Sequence, residues 1–227
     1  GGLYPKLAAH GTQLSRRVRR GFGYSRRIVE RLQRGQDWDA CGVLQLAFDA
    51  KEAARQARLA AAFPVDLLRA VSREEAETLA GIGLPAGGLF FPEAGWLHPP
   101  ALCRLLATHP NIRLLPHQEA AELRRDGDRW QALDGERLLA EAPVAVLAGA
   151  AEVGRFPQAA GLPLKRIRGQ ITRLPASAES RALRTVVWRP FDATGVEHCM
   201  LRKLAKGFRL EGHVITTVGS PAAAVPL

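Results

Sequence analysis

Gly88-Leu89-Phe90-Phe91-Pro92-Glu93-Ala94-Gly95-Trp96-Leu97-His98-Pro99-Pro100-Ala101-Leu102-Cys103 is the stretch on which the reading of this chain turns. Gly88 to Phe91 and Gly95 to Leu97 are short and apolar, with Pro92-Glu93-Ala94 between them, so they read as two strands joined by a turn. His98-Pro99-Pro100 opens a helix expected to reach about Thr108, since proline in a first turn forgoes only an N–H without a helical partner. Upstream, Ser72-Arg73-Glu74-Glu75 is a capping box that starts a helix to about Leu79, and Leu67 to Val71 is a short strand. Asp49 caps an Ala-rich helix from Lys51 to Phe63, ended by Pro64, after a strand from Val43 to Phe48. From about Thr12 to Gln33, Leu14, Val18 and Phe22 form the apolar stripe of an amphipathic helix; Gly21 and Gly23 weaken its middle, so one helix with a soft spot or two short helices are expected.

Downstream the pattern changes to short alternating segments, Ile112 to Leu115, Ala120 to Arg124 and Arg129 to Leu133. Asp126-Gly127 and Asp134-Gly135 supply the turns of a β-meander. Pro143 to Ala150 is a continuous apolar run, expected to be a buried parallel strand ending in a small-residue turn. Leu164 to Leu174 and Arg184 to Trp188 read as further strands, and beyond Met200 no pattern stands out. Strands and helices mix without a regular βαβ alternation, which predicts an α+β fold with at most one or two strands of a doubly wound sheet.

The 227 residues are 47% hydrophobic and 24% charged, globular proportions, and carry a net charge of +10. A basic chain attracts polyanions such as nucleic acid, although an Arg-rich proteome gives the same charge with no such partner. The arginines cluster early, at Arg16, Arg17, Arg19, Arg20, Arg26, Arg27, Arg31 and Arg34. Cys41, Cys103 and Cys199 are odd in number and far apart, against a disulfide framework and against zinc, and His109, His117 and His213 lack metal-ligand spacing. No metal, no membrane span, no signal peptide and a cytoplasmic setting are therefore expected. Ser-His-Asp, P-loop and paired-carboxylate signatures are missing from the sequence.

Three segments in order carry a resemblance: Gly2-Leu3-Tyr4-Pro5-Lys6-Leu7, the Gly88–Cys103 block, and Arg166-Ile167-Arg168-Gly169-Gln170-Ile171-Thr172. Together they resemble the FAD-dependent oxidoreductase domain of bifunctional tRNA wobble-uridine modification proteins of the MnmC type, relatives of glycine oxidase and D-amino-acid oxidase. Cys41 to Phe48 and Val146 to Ala151 fit the same family, the match running from Gly1 to about Cys199. The resemblance implies the substrate-binding domain of a D-amino-acid-oxidase-like flavoprotein, a mixed sheet with flanking helices, plus an incomplete FAD-binding α/β part. The sequence contains no GxGxxG, the turn whose glycines admit the FAD pyrophosphate, so a fragment lacking that unit is expected. His98 stands where the family tends to carry Asn. The division expected is a flavin-proximal loop and helix over 1–40, a substrate-side domain over 41–140, a strand return with a flavin-facing strand over 141–175, and a diverged segment over 176–227.

The activity implied is oxidative removal of the carboxymethyl group from a modified wobble uridine in tRNA, with FAD as cofactor, tRNA as partner and a methyltransferase domain in the full-length protein. Arg168 is the catalytic candidate, an arginine able to clamp a carboxylate beside Gly169 and Gln170; Arg189 is a weaker one. Gly2, Leu3, Tyr4 and Pro5 would line the flavin ring, and Ala148, Gly149, Ala150, Gly169 and Gln170 would also contact the cofactor. The bland counterparts are a loose terminus, an ordinary strand-to-loop turn and an exposed arginine on a strand. Two other functions stay open: a non-catalytic remnant or tRNA-binding module, and a glycine-oxidase-like oxidase of small amines.

Overall fold

The computed structural model describes residues 1–7, 12–164, 168–174, 181–189, 199–201 and 210–216, of which 168–174, 189, 199–201 and 210–216 are described by backbone alone. In chain order the strands and α-helices are β1 (Gly2–Leu3), α1 (Gln13–Val29), β2 (Trp38–Asp39), β3 (Val43–Leu46), α2 (Ala50–Ala62), β4 (Arg69–Val71), α3 (Arg73–Ala80), β5 (Gly88–Phe91), β6 (Gly95–Leu97), α4 (Pro99–Leu106), β7 (Glu122–Asp126), β8 (Arg129–Asp134), β9 (Arg137–Ala142), β10 (Arg168–Leu174), β11 (Val186–Arg189), β12 (Cys199–Leu201) and β13 (Leu210–Thr216). The fold is α+β, as expected. Packing divides the chain into two units, Gly1–Thr108 with Arg168–Leu227, and His109–Ile167. The expected boundaries at 40, 140 and 175 separate flavin side from substrate side, a division that packing does not address.

The first unit is organised by a five-stranded sheet in the order β12-β11-β3-β5-β4. β3 runs parallel to β11 and antiparallel to β5, so a strand near residue 45 is paired with one near residue 187. Alternation sends successive side chains to opposite faces. Val43, Leu89, Phe91 and Val186 enter one core with Leu59 of α2, while Leu44, Leu46, Phe90 and Val187 enter another with Ala76 and Ala80 of α3. Both helices start where local chemistry says they should: Asp49 Oδ1 accepts from Glu52 N at 2.6 Å, and Ser72 Oγ accepts from Glu75 N at 3.2 Å. α3 ends on Gly81 at φ +75°, the left-handed residue a C-terminus favours.

A smaller sheet, β1-β6-β2, brings the chain start against Gly95 and Trp96 of the Gly88–Cys103 block. Leu3, Val29 and Trp38 form its core. Helix α1 is a single helix through Gly21 and Gly23. Val18 and Phe22 pack inward, but Leu14 is 64% exposed and Ser15 takes the buried place instead. The helical phase is the reason: Ser15 stands three residues before Val18 and seven before Phe22, on the same stripe, and Thr12 Oγ1, accepting from Ser15 N and 3.2 Å from Ser15 Oγ, gives that first turn polar partners.

The second unit is built on the antiparallel meander β7-β8-β9. The turns fall where the two Asp-Gly pairs announce them, but Asp126 and Asp134 still pair in the strands, so Gly127 and Gly135 sit first in their two-residue loops, at φ +57° and +60°, rather than second as in an Asp-Gly loop. Two expected strands are absent. Ile112 to Leu115 stays irregular and exposed, and Pro143 to Ala150 is not a strand either: Val144 is 72% and Val146 84% exposed. A ladder needs a neighbour, and among the described residues none pairs with this run. Conversely β13, where no pattern was legible, pairs antiparallel with β10 along its whole length. Leu164, the expected strand start, is not in a strand, and β10 is described from Arg168; 165–167, Glu197-His198 and the tail from Ser220 to Leu227 lie outside the described residues.

Candidate functional site

Where the first core opens at the ends of β3 and β11, a cavity of about 270 Å³ forms. Its walls come from the chain start (Tyr4, Pro5, Lys6, Leu7), from β3 and the loop after it (Gln45, Phe48), from α2 (Glu52, Arg55, Leu59), and from Phe91 and Trp188. The chain start is held by period-two alternation: Leu3, Pro5 and Leu7 are buried, while Tyr4 is half-buried and Lys6 exposed. Tyr4 stands edge-on to two rings, 6.1 Å from Phe91 and 4.6 Å from Trp188 between centroids.

One wall is a buried polar network. The Glu52 carboxylate, 9% exposed, accepts from Arg55 Nε at 2.7 Å and Arg55 Nη2 at 2.6 Å, a bidentate clamp. It also accepts from Gln45 Nε2 at 3.2 Å and Gln56 Nε2 at 2.9 Å. Gln56 Nε2 reaches the Gln45 carbonyl as well, tying α2 to β3. As third residue of α2, Glu52 also gains from the positive end of the helix dipole. Its hydrogen bonds, set against partial burial, raise the guanidinium pKa of Arg55 and keep it charged. Nη1 of Arg55 has no hydrogen-bond partner among the described residues. The pocket thus combines aromatic walls, an exposed Lys6 and a fixed guanidinium with a donor edge to spare.

Burial pushes the Tyr4 hydroxyl from 10.0 up to about 12, with Arg55 opposing. It pushes the Cys41 thiol from 9.0 up to about 11, with the Asp39 charge adding to the effect. In both cases the folded pKa lies above the unfolded one, so the folded state favours the neutral form. That contribution is fully present below about pH 9 and is lost as pH rises through the folded values. The expected result is a urea midpoint flat up to about pH 9 that falls steadily towards pH 12. A flat midpoint across that window in Tyr4→Phe/Cys41→Ala protein would confirm the two groups as the cause.

Of the residues singled out from sequence, Tyr4 and Pro5 line this cavity. Gly2 and Leu3 lie in β1, with the Leu3 side chain in the core beside Val29 and Trp38. Arg168, Gly169 and Gln170 open β10, opposite Thr216, Ile215 and Val214, and Arg189 ends β11. Ala148, Gly149 and Ala150 belong to the other unit, at the entry to a 3-10 turn over Ala150–Arg155. Ala150 there has φ +52°, a left-handed conformation that costs a non-glycine residue energy. His98 precedes α4 without a side-chain cap bond. Sequence reasoning missed Gln45, Glu52, Arg55 and Trp188. The available signal was the 52, 56, 59 spacing, which puts two polar residues on the same helical stripe as a core leucine. Among the described residues no cluster could hold a metal ion and no helix is long and apolar enough to cross a membrane.

The chain belongs to the FAD dependent oxidoreductase family, whose model matches residues 1–222. Its fold is similar to that of glycine oxidase from Geobacillus kaustophilus, with a TM-score of 0.69 and 19% identity over 96% of this chain and 61% of that one. Over 187 residues it is 70% identical to the tRNA 5-methylaminomethyl-2-thiouridine biosynthesis bifunctional protein MnmC of Pseudomonas putida (strain GB-1), covering 82% of this chain and 29% of that protein. The MnmC of Pseudomonas paraeruginosa (strain DSM 24068 / PA7) is 69% identical over the same length. The chain therefore spans less than a third of these two MnmC proteins, 29% and 28% of their lengths.

Proposed function

We propose that this chain is the substrate-facing part of an FAD-dependent amine oxidoreductase that removes the carboxymethyl group from a modified wobble uridine of tRNA, in a cytoplasmic protein that also carries a methyltransferase domain. The observation that carries this reading is the aromatic-walled cavity with the spare Nη1 edge of Arg55 and the ammonium of Lys6 at one side. A carboxylate on a short amine arm, attached to a flat pyrimidine, matches cations set beside rings. The resemblance to MnmC proteins supports the same substrate.

The residues present fit one end of FAD. A cavity of about 270 Å³ walled by Tyr4, Phe91 and Trp188 suits a ring system or a small amine, not a whole dinucleotide. The glycine turn that takes the pyrophosphate is not in these 227 residues. FAD, when bound, supplies the acceptor for the hydride from the amine's α-carbon. This chain's own residues bind and orient. Arg55, fixed by Glu52, holds the substrate carboxylate. Tyr4 keeps its proton at neutral pH and is proposed to donate it in a hydrogen bond to the bound substrate, while the rings of Phe91 and Trp188 wall the site against water. Arg168 is proposed as a second cation for the carboxylate, with Gly169 and Gln170 beside it. Gly2, Leu3 and Pro5 are proposed to face the flavin. Ala148, Gly149 and Ala150 remain a proposed backbone contact, supported by the strained Ala150, since such strain gathers at functional sites.

The test is a titration of the chain with 5-carboxymethylaminomethyluridine, followed by the fluorescence of Trp188. Saturable quenching is expected, at least about 10-fold weaker in Arg55→Ala and about 10-fold weaker again for the 5-aminomethyl nucleoside without its carboxylate, as loss of a charge-assisted pair requires. Trp188→Phe should abolish the signal, which assigns it among the tryptophans. Equal affinity for both nucleosides, or none for either, would overturn the reading.

A further inference from the structure

Helix α1 carries six arginines and no acidic residue, and it does not take part in the cavity described above. Its inner side is occupied: Ser15 and Val29 are buried, Val18 and Phe22 pack on the core, and Arg26 pairs with Glu93 and Glu30. The outer side holds Arg16, Arg20, Tyr24 and Arg27, at i, i+4, i+8 and i+11, which a 3.6-residue repeat aligns along one face about 16 Å long. Arg17 flanks them. All these arginines are exposed, and among the described residues none is ion-paired. Tyr24 is 59% exposed, an aromatic ring held in water, with the Arg27 guanidinium 5.8 Å from its centroid.

Unpaired arginines in a row repel one another, and their arrangement gains only when a polyanion neutralises them and releases its counterions. A membrane surface fits poorly, because an interfacial helix must offer its apolar side and this one has spent it on the core. An exposed ring beside a guanidinium is a platform on which an unpaired base can stack. We infer that the outer face of α1 docks tRNA, with Arg16, Arg20 and Arg27 on backbone phosphates and Tyr24 under an unpaired base, remote from the chemistry and setting where the substrate lies. This assignment rests on tRNA being the substrate.

Filter binding of bulk tRNA to the 227-residue chain, across about 50 to 300 mM salt, tests it. Wild type should bind with a steep salt dependence. Arg16→Ala/Arg20→Ala/Arg27→Ala should flatten the slope of log K against log[salt] by about 2 and weaken binding about 10-fold or more at low salt. Tyr24→Ala should weaken binding about 5-fold or more with the slope unchanged, because stacking releases no counterion. The charge-matched control Arg58→Ala/Arg113→Ala/Arg137→Ala removes three exposed arginines elsewhere that have no ion-pair partner among the described residues, and should leave the slope near wild type. These positions being exposed, circular dichroism should show the fold intact in every variant. Equal losses in the two triple variants would overturn the docking face while tRNA remained the substrate. A wild-type chain without salt-sensitive tRNA binding would overturn both, and the nucleoside titration would then show whether the cavity reading survives alone.

Discussion

Gly95→Ala should leave little folded protein, with a loss of stability of about 4 kcal/mol or more. A Cβ at this position would stand 1.8 Å from the Asp39 carbonyl oxygen, 2.8 Å from its carbon and 3.0 Å from Ala40 Cα. All three are backbone atoms of the neighbouring β2 segment, so no side chain can rotate away. The strands must part by more than an ångström, which breaks the Trp38–Leu97 and Asp39–Trp96 pairing. The damage passes to function, because the same central strand pairs with Gly2 and Leu3 and so holds Tyr4 and Pro5 at the cavity. Gly88→Ala should behave alike: its Cβ would meet the Gln45 carbonyl oxygen at 2.0 Å, between β5 and β3. Gly23→Ala is the control of opposite sign. Apart from its chain neighbours and the helix's own backbone, a Cβ there meets nothing within 4 Å among the described residues, so alanine in the middle of α1 should gain about 0.5–1 kcal/mol. Urea unfolding of the three variants checks the order. A soluble Gly95→Ala protein with a wild-type midpoint would show that β6 and β2 are not paired as described.

What was legible in the sequence was mostly local. Asp49, Ser72 and the Pro99-Pro100 pair announce helix starts because capping is a matter of three or four neighbouring residues. Gly127 and Gly135 announce turns because only particular backbones close a two-residue loop. The apolar run at 143–150 misled for the opposite reason. Hydrophobicity says that a segment gains from burial, but only a neighbouring strand makes it a strand. The parallel pairing of Val186 with Val43 could not be seen either, since 143 residues separate them and neither strand's pattern names its partner. The resemblance carried by three segments, Gly2–Leu7, Gly88–Cys103 and Arg166–Thr172, pointed to the family where periodicity pointed only to a fold class. It directed attention to Tyr4 and Pro5, which do line the cavity. It passed over α2, whose Glu52, Arg55 and Gln56 look like ordinary polar residues of a solvated helix until β3 is placed beneath them.

Glu52→Ala should be the most damaging side-chain change at the cavity, costing about 3 kcal/mol, the low end for a broken buried pair because Arg55 is itself one third exposed. The cost lies less in the attraction lost than in what is left behind. Arg55 keeps its charge with both Nε and Nη2 unmatched, Gln45 loses an acceptor, and Gln56 keeps only the Gln45 carbonyl. Glu52→Gln keeps the shape and one acceptor oxygen and should cost roughly half as much. Arg55→Ala strands the carboxylate instead, but two glutamine amides still serve it and a partly exposed site admits water, so about 2 kcal/mol is expected. The double variant Glu52→Ala/Arg55→Ala should be less unstable than the sum of the singles by about 1–2 kcal/mol, since neither partner is left unmatched. Substrate affinity separates stability from function. Glu52→Ala frees the guanidinium to move, so 5-carboxymethylaminomethyluridine should bind more weakly although the cation remains; Arg55→Ala should bind it at least about 10-fold more weakly. If Glu52→Ala destabilises the fold yet binds the nucleoside as tightly as wild type, Glu52 only supports the sheet. If both fall together, the Glu52 carboxylate is what aims the arginine at the substrate.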